Sequence, residues 1–298
     1  MLGFLPGPIL GCLMIALFAL NTVFWAIPIY ALSLLKLLTP KGRVRRALSL
    51  AADFCAQTWV GCNKLLSDTV LPTRFEVRGV EQLDLHGQYF ICSNHQTWND
   101  IHVLQKTFYG KAPFFKFFLK QELIWVPVLG LAWWGLDFPF MKRYTPEQVA
   151  KNPALRGKDI ETTRKTCEKF HELPVSIFNF LEGTRFTPAK HARQGSLYRH
   201  LLKPKTGGFA FTLAAMGERL NCMLDVTIVY PEGATTFWNF MAGRVRSVIV
   251  EVRQLQIPAE FFGGDYEADA AYRKRMQDWV GQIWADKDRR ISELLGQH

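Results

Sequence analysis

An α/β domain with a mixed, largely parallel sheet flanked by helices, preceded by a membrane-embedded helical segment, is the architecture this sequence predicts. Three observations predict it. Short apolar runs of strand length alternate with longer stretches of helical spacing. No Lys, Arg, Asp or Glu occurs before Lys36. Hydrophobic residues make up 49% and charged residues 21% of the 298, which excludes an intrinsically disordered chain, because such chains lack the apolar area to offset backbone entropy. The net charge of +10 asks for an anionic partner, whether nucleic acid, a membrane surface or a phosphorylated ligand.

Taken in order, Ile9 to Leu38 reads as one apolar helix interrupted by Asn21, Thr22, Pro28, Ser33 and Lys36. It exceeds the roughly 20 residues that cross hydrocarbon, and it lacks the basic leader of a cleaved signal. Lys41, Arg43, Arg45 and Arg46 follow at once, and the positive-inside bias would place the rest of the chain in the cytoplasm. A second helical pattern from Ala47 to Val70 leaves two topologies open. One is a single crossing followed by an interfacial helix; the other is a two-helix hairpin embedded from the cytoplasmic side.

Residues 1–72 form this unit, 73–258 the α/β domain and 259–298 a C-terminal amphipathic helix. Strands are expected at Phe75–Val80, Tyr89–Ser93, Val175–Phe180, Cys222–Val229 and Arg246–Val252, with helices at Asp159–Glu172 and Gly207–Leu220. The aromatic-rich stretch from Phe114 to Phe140 reads as part groove, part bilayer contact and part core. The helical stretch from Tyr266 to Leu295 carries Tyr272, Met276, Trp279, Val280, Ile283 and Trp284 on one face and Arg and Lys on the other, so it either lies on anionic lipid or caps the domain. Cysteines 12, 55, 62, 92, 167 and 222 contain no C-x-x-C pair, so no metal site is signalled.

The chemistry starts directly after the Tyr89–Ser93 strand, at Asn94-His95-Gln96-Thr97-Trp98-Asn99-Asp100. On an ideal helix His95 and Asp100 stand about 140° apart and cannot pair. They can pair if His95 sits in the turn leaving the strand and Asp100 in the first turn of the next helix, where a carboxylate suits the positive end. The histidine would then have Nδ1–H held by a carboxylate and Nε2 free to take a proton. A second loop, Glu182-Gly183-Thr184-Arg185, follows another apolar strand; its glycine permits close backbone approach and its arginine offers a planar fork for a phosphate.

With these two motifs in this order, the chain resembles the glycerolipid acyltransferases, which include 1-acylglycerol-3-phosphate and lysophospholipid acyltransferases. Asn94, His95 and Asp100 match their His-x4-Asp motif, and Glu182, Gly183, Thr184 and Arg185 match Pro-Glu-Gly-Thr-Arg, with Leu181 in place of proline. That replacement and the continuation Phe186 to His191 resemble the branch of lysocardiolipin and bacterial YihG-type inner-membrane acyltransferases. Phe140, Met141 and Arg143 resemble the second motif, and Ile228, Val229, Tyr230 and Pro231 the fourth, where Tyr230 makes the loosest match.

The resemblance implies transfer of a fatty acyl group from acyl-CoA or acyl carrier protein to the free hydroxyl of 1-acylglycerol-3-phosphate in phospholipid biosynthesis or, as the alternative, of lysophosphatidylglycerol or lysocardiolipin in remodelling, with no bound cofactor and no metal. It implies His95 as general base, Asp100 as its orienting carboxylate, and Asn94, Lys120, Arg143, Glu182, Gly183, Thr184 and Arg185 around the acceptor. Glu182 either binds the acceptor or braces its loop. The implied partners are the lysophospholipid, the acyl thioester, anionic membrane and, as one alternative donor, acyl carrier protein; the implied place is the cytoplasmic side of a bacterial inner membrane. A membrane-anchored adaptor without catalysis is the reading of another class. No nucleic-acid-binding module is found.

Overall fold

The computed structural model describes residues 5–141, 170 and 174–296. The apolar segment forms α1 (Gly7–Leu38), and after a short turn α2 (Arg43–Val70) packs back along it. The second helix starts one turn earlier than Ala47 because Gly42, at φ +150°, caps it and accepts from Arg46 N at 3.0 Å. Two of the polar residues that interrupt the apolar run, Asn21 and Thr22, bind the two helices together. Asn21 Nδ2 donates to Trp59 O at 3.0 Å and to Asn63 Oδ1 at 2.9 Å, and Trp59 Nε1 donates to Thr22 Oγ1 at 3.1 Å. In apolar surroundings such groups need partners, and each helix supplies the other's.

The strands follow as β1 (Arg74–Arg78), β2 (Gln88–Ser93), β3 (Phe115–Phe117), β4 (Leu119–Lys120), β5 (Phe140–Met141), β6 (Val175–Phe180), β7 (Cys222–Val229) and β8 (Ser247–Gln256). The helices are α3 (Asn99–Phe108), α4 (Leu129–Gly135), α5 (Pro188–Gln194), α6 (Gly207–Met216), α7 (Phe237–Met241) and α8 (Ala270–Leu294). The main sheet runs β1-β8-β7-β2-β6-β3, and β4 pairs with β5 in a small sheet of their own. Every pairing in the main sheet is parallel except β7 with β8. The antiparallel ladder from Cys222↔Gln256 to Val229↔Ile249 carries β8 past the expected Val252. The expected helix to Leu220 stops at Met216, where Gly217 turns the backbone to φ +66°. Of the expected helix 159–172 only Phe170 lies among the described residues, and it is buried.

Each face of the sheet holds its own apolar cluster. Phe90 and Cys92 of β2 join α6 and α8 on one face, while Tyr89 and Ile91 join α3, α7 and the start of α1 on the other. The alternation follows from the two-residue period of a strand buried on both sides. α8 therefore caps the domain: Tyr272, Met276, Val280, Ile283, Trp284 and Ile291 are buried against the sheet. Buried Lys287 reaches Asp225 Oδ1 of β7 at 2.7 Å, and Arg253 holds Oδ2 at 2.7 Å.

α1 lies along the domain. Leu10 and Met14 enter the core beside Phe240, whereas Lys36 near the other end donates to Gly135 O at 2.9 Å and Asp137 Oδ2 at 2.6 Å. Gly135 is required there, since a Cβ would stand 1.9 Å from Ser33 Oγ. The stretch from Phe114 to Phe140 is divided between core and surface. Leu119, Ala132, Leu136 and Phe138 pack on Ala52, Cys55 and Ala56 of α2, while Trp125 is 85% exposed and Trp134 40%.

The register places the site. Ser93 at the end of β2 lies opposite Phe180 of β6 and Val226 of β7, so three parallel strands deliver their following loops to one edge. The carboxyl ends of parallel strands are where α/β sheets hold ligands.

Candidate active site

His95 sits in the turn after β2 and Asp100 in the first turn of α3, the arrangement their spacing requires. His95 Nδ1 stands 2.9 Å from Asp100 Oδ2, which also accepts from Gln96 N at 2.7 Å and Thr97 N at 2.9 Å. The remaining oxygen, Oδ1, accepts from Tyr230 Oη at 2.7 Å. Asp100 is fully buried, so four donors together replace its water. The His95 ring lies flat on Phe180, with centroids 3.7 Å apart and planes 11° apart. Among the described residues Nε2 has no hydrogen-bond partner, and His95 lines a cleft at this edge of the sheet.

The backbone of His95 is clamped by the second loop. Its N–H donates to Glu182 Oε1 at 2.9 Å, and its carbonyl accepts from Phe186 N at 2.7 Å. Glu182 Oε2 takes Leu202 N at 2.9 Å, and the side chain is fully buried. Of the two roles open for Glu182, the geometry supports the brace: both oxygens are engaged by backbone amides and neither reaches solvent. Burial pushes its carboxyl up to about 7, against the two amides that favour the ionised form. Asn94 is likewise withdrawn from the acceptor. Its Nδ2 donates to Ile228 O and its Oδ1 accepts from Ile228 N, both at 2.9 Å, so it stitches the end of β2 to β7 at zero exposure.

Gly183, Thr184 and Arg185 line the cleft with His95. Arg185 is exposed at the mouth, its guanidinium 4.7 Å over the Trp98 ring. Thr184 Oγ1 accepts from Lys190 Nζ at 2.8 Å, so this threonine positions a cation. Lys120 is exposed on β4 and is not among the residues that line the cleft. Arg143 lies outside the described residues.

The cleft has a volume of about 770 Å³. Beyond the polar mouth its wall is Leu104, Phe115, Phe117, Phe118, Phe178 and Phe211. A base held at one nitrogen, a cation at the rim and an aromatic interior suit proton removal from an amphiphile whose headgroup stays at the mouth.

Two residues carry roles that their spacing does not reveal. Tyr230, the loosest match of the fourth motif, supplies a hydroxyl to Asp100. Phe180, the end of an expected strand, is the floor under the imidazole.

A family model described as Acyltransferase matches residues 74–231, just over half of the 298, from β1 to the end of β7. Among curated proteins, human 1-acyl-sn-glycerol-3-phosphate acyltransferase gamma is 24% identical over 203 residues, covering 61% of this chain and 46% of that one. The human delta protein is 26% identical over 184 residues, covering 58% and 43%. An uncharacterized acyltransferase of Schizosaccharomyces pombe is 22% identical over 276 residues, covering 83% and 74%. The chain thus spans less than half the length of the two human relatives. Among solved structures, the 1-acyl-sn-glycerophosphate acyltransferase PlsC from Thermotoga maritima superposes with a TM-score of 0.52 at 14% identity, covering 94% of this chain and 99% of that one. The likeness extends to the overall fold, with the N-terminal helices included. By the match across the strands that carry the site, the chain belongs to the acyltransferase family.

Proposed function

We propose that the chain is a membrane-bound O-acyltransferase that moves a fatty acyl group from acyl-CoA or an acyl carrier protein to the free hydroxyl of 1-acylglycerol-3-phosphate. The observation that carries the reading is the His95 imidazole, held through Nδ1 by a buried Asp100 and turned by its other nitrogen to an apolar cleft with Arg185 at the rim. His95 Nε2 takes the hydroxyl proton as the acceptor oxygen attacks the thioester carbonyl. Asp100 stabilises the imidazolium. The tetrahedral intermediate then expels the thiolate, which receives the proton from His95, so ester and thiol are the products and no bond to the protein forms. Arg185 holds the acceptor's phosphate through charge-assisted hydrogen bonds. The aromatic interior takes an acyl chain.

We place the two-helix unit in one leaflet as a hairpin. Leu10 and Lys36 lie about 39 Å apart along α1, yet both dock on the same domain, and a crossing helix would carry one of them to the far side. The outer faces bear Leu20, Phe24, Ile27 and Leu38 of α1 and Phe54 of α2, each more than 60% exposed. Arg43, Arg45 and Arg46 stand in the first turn of α2, where the helix dipole disfavours cations. Anionic headgroups on the cytoplasmic side of a bacterial inner membrane would account for their presence.

The test is thioester-dependent release of free thiol by the purified full chain in detergent micelles, with acyl-CoA and acyl carrier protein donors and a panel of lyso-acceptors. Release stimulated by lysophosphatidic acid is expected. Release with lysophosphatidylglycerol or lysocardiolipin alone would move the chain to phospholipid remodelling, and no release with any acceptor would favour the non-catalytic adaptor.

A further inference from the structure

A second cavity, of about 390 Å³, opens at the end of α1 far from Leu10 and shares no lining residue with the catalytic cleft. Ser33, Lys36 and Leu37 of α1 form one wall, Arg45 of α2 the next, and Gln121 and Trp134 close it from the segment around α4. Two ties to α1 hold this segment in place. Val128 and Asp137, on either side of α4, both adopt left-handed backbone, at φ +64° and +61°. Tyr30 Oη of α1 donates to Val128 O, and Lys36 Nζ donates to Asp137 Oδ2 at 2.6 Å. A β-branched residue at positive φ is strained, and such strain persists where the surroundings over-determine it, often at a ligand site.

Charge in the cavity is unbalanced. Lys36 and Asp137 cancel one another, which leaves Arg45 as the remaining charge of the lining. Arg45 donates to Thr39 O at 3.2 Å and meets no carboxylate among the described residues. Among those residues the Gln121 amide and the Trp134 indole N–H also have no partner. One positive charge with spare N–H donors complements a phosphodiester monoanion. The rim, by contrast, is apolar. Leu34, Leu37 and Leu38, three and four residues apart on α1, are each more than half exposed, and Leu131, Trp134 and Trp125 are exposed beside them. Such a surface takes acyl chains, and tryptophan prefers the level of the headgroups. A soluble phosphate would engage the donors and leave the leucines in water, so a lipid is the ligand that fits both.

We infer that this cavity holds the headgroup of an anionic phospholipid, its phosphodiester on Arg45, Gln121 and Trp134 and its acyl chains along the leucines at the end of α1. The chain thus has a lipid site apart from the cleft assigned to acyl transfer, and the bound lipid fastens the two-helix unit to the α4 segment. This rests on the membrane placement of α1 and α2 and not on the reaction. One ring pair links the two cavities: Phe138 lines this one, Phe117 lines the cleft, and their centroids are 5.0 Å apart.

The experiment is calorimetric titration of the full chain in detergent micelles with dioctanoyl phosphatidylglycerol, dioctanoyl phosphatidylcholine and glycerol 3-phosphate. The phosphatidylglycerol should bind saturably and about 10-fold more tightly than either of the others. Arg45→Gln should weaken it about 10-fold and Gln121→Leu about threefold, as the loss of a charged and of a neutral hydrogen bond requires. Arg43→Gln, an exposed neighbour outside the lining, and Arg185→Ala at the catalytic cleft should leave it within about twofold. Equal weakening by Arg43→Gln and Arg45→Gln would reduce the arginines to diffuse attraction. Weakening by Arg185→Ala alone would move the lipid to the cleft, and glycerol 3-phosphate binding as tightly as the lipid would make the site one for soluble phosphate. Each of these results, like a lack of saturable binding, overturns the assignment. Melting temperatures equal to wild type before lipid is added exclude a folding defect. The titration reads binding alone, so the site stands if the activity assay finds no thiol release, and falls by itself if release is found without lipid binding.

Discussion

Two buried aspartates, Asp100 at the start of α3 and Asp225 on β7, end in opposite uses. Asp225, on β7, is closed: Lys287 takes one oxygen and Arg253 the other, and both lysine and aspartate side chains are sealed from solvent. Its charge is cancelled where it stands, and the result is a rivet between α8 and the sheet. Among the described residues no lysine or arginine pairs with Asp100. Neutral amides, a phenol and an imidazole satisfy it, so its charge remains to be shared with whatever proton His95 collects. A carboxylate paired with lysine or arginine is spent on structure, and one paired with histidine is available to chemistry. The same contrast separates Lys274 and Arg275 of α8, which meet Asp278 and Glu260, from Arg185 at the cleft mouth, which meets no carboxylate among the described residues.

The largest effect expected from breaking this comparison is on the open side. His95→Ala should lower turnover by on the order of 10² to 10⁴ while membrane association and melting temperature are unchanged; wild-type rates in that variant would remove the base from the reaction.

On the closed side the signature reverses. Lys287→Met takes from Asp225 its fully buried ammonium partner and should cost about 3 kcal/mol of stability, read from denaturant unfolding, with activity per folded molecule intact. If catalysis fell and stability held, the rivet would not be merely structural.

Tyr230→Phe sharpens the contrast by stripping one neutral donor from Asp100. The hydroxyl is kept protonated by burial and by the neighbouring carboxylate, which push its pKa well above the usual phenol range, so it donates at every working pH. Its loss should reduce kcat about 10-fold with acceptor KM unchanged, because Asp100 loses one of the donors that fix it under the imidazole.

The smallest effect belongs to Glu182. Its carboxyl in the fold sits at about 7, above the ordinary 4.5, so ionisation is harder folded than unfolded. Stability from this group is fully present below about 4.5 and falls as pH rises toward about 7. Glu182→Gln should lack that slope: the difference in melting temperature between pH 5 and pH 8 should be smaller in the variant, and an identical difference would refute the raised pKa.

Much of this was legible in the residues. The strands β6 and β7 coincide with the apolar runs that predicted them, because strands buried on both faces need uninterrupted apolar sequence. The pairing of His95 with Asp100 was legible because a five-residue separation fits only a turn followed by a helix start. Less legible were β3, β4 and β5. Their residues carry aromatic density without period, and runs of two or three residues are too short for alternation to show.

What the sequence determined by itself is local: an apolar segment of membrane length, helix-linked strands, and two short loops whose residue types suit a base and an anion. The identity of side chains and their near-neighbour spacing suffices for these. Only the tertiary structure decided which loops meet. The pairing of Ser93 with Phe180 and Val226 sets the ends of three strands side by side. Through that register Glu182 turns inward as a brace, Asn94 becomes a stitch, and Tyr230 reaches Asp100 across 130 residues of chain. Contacts between distant segments follow from strand register and packing, which no stretch of sequence encodes alone.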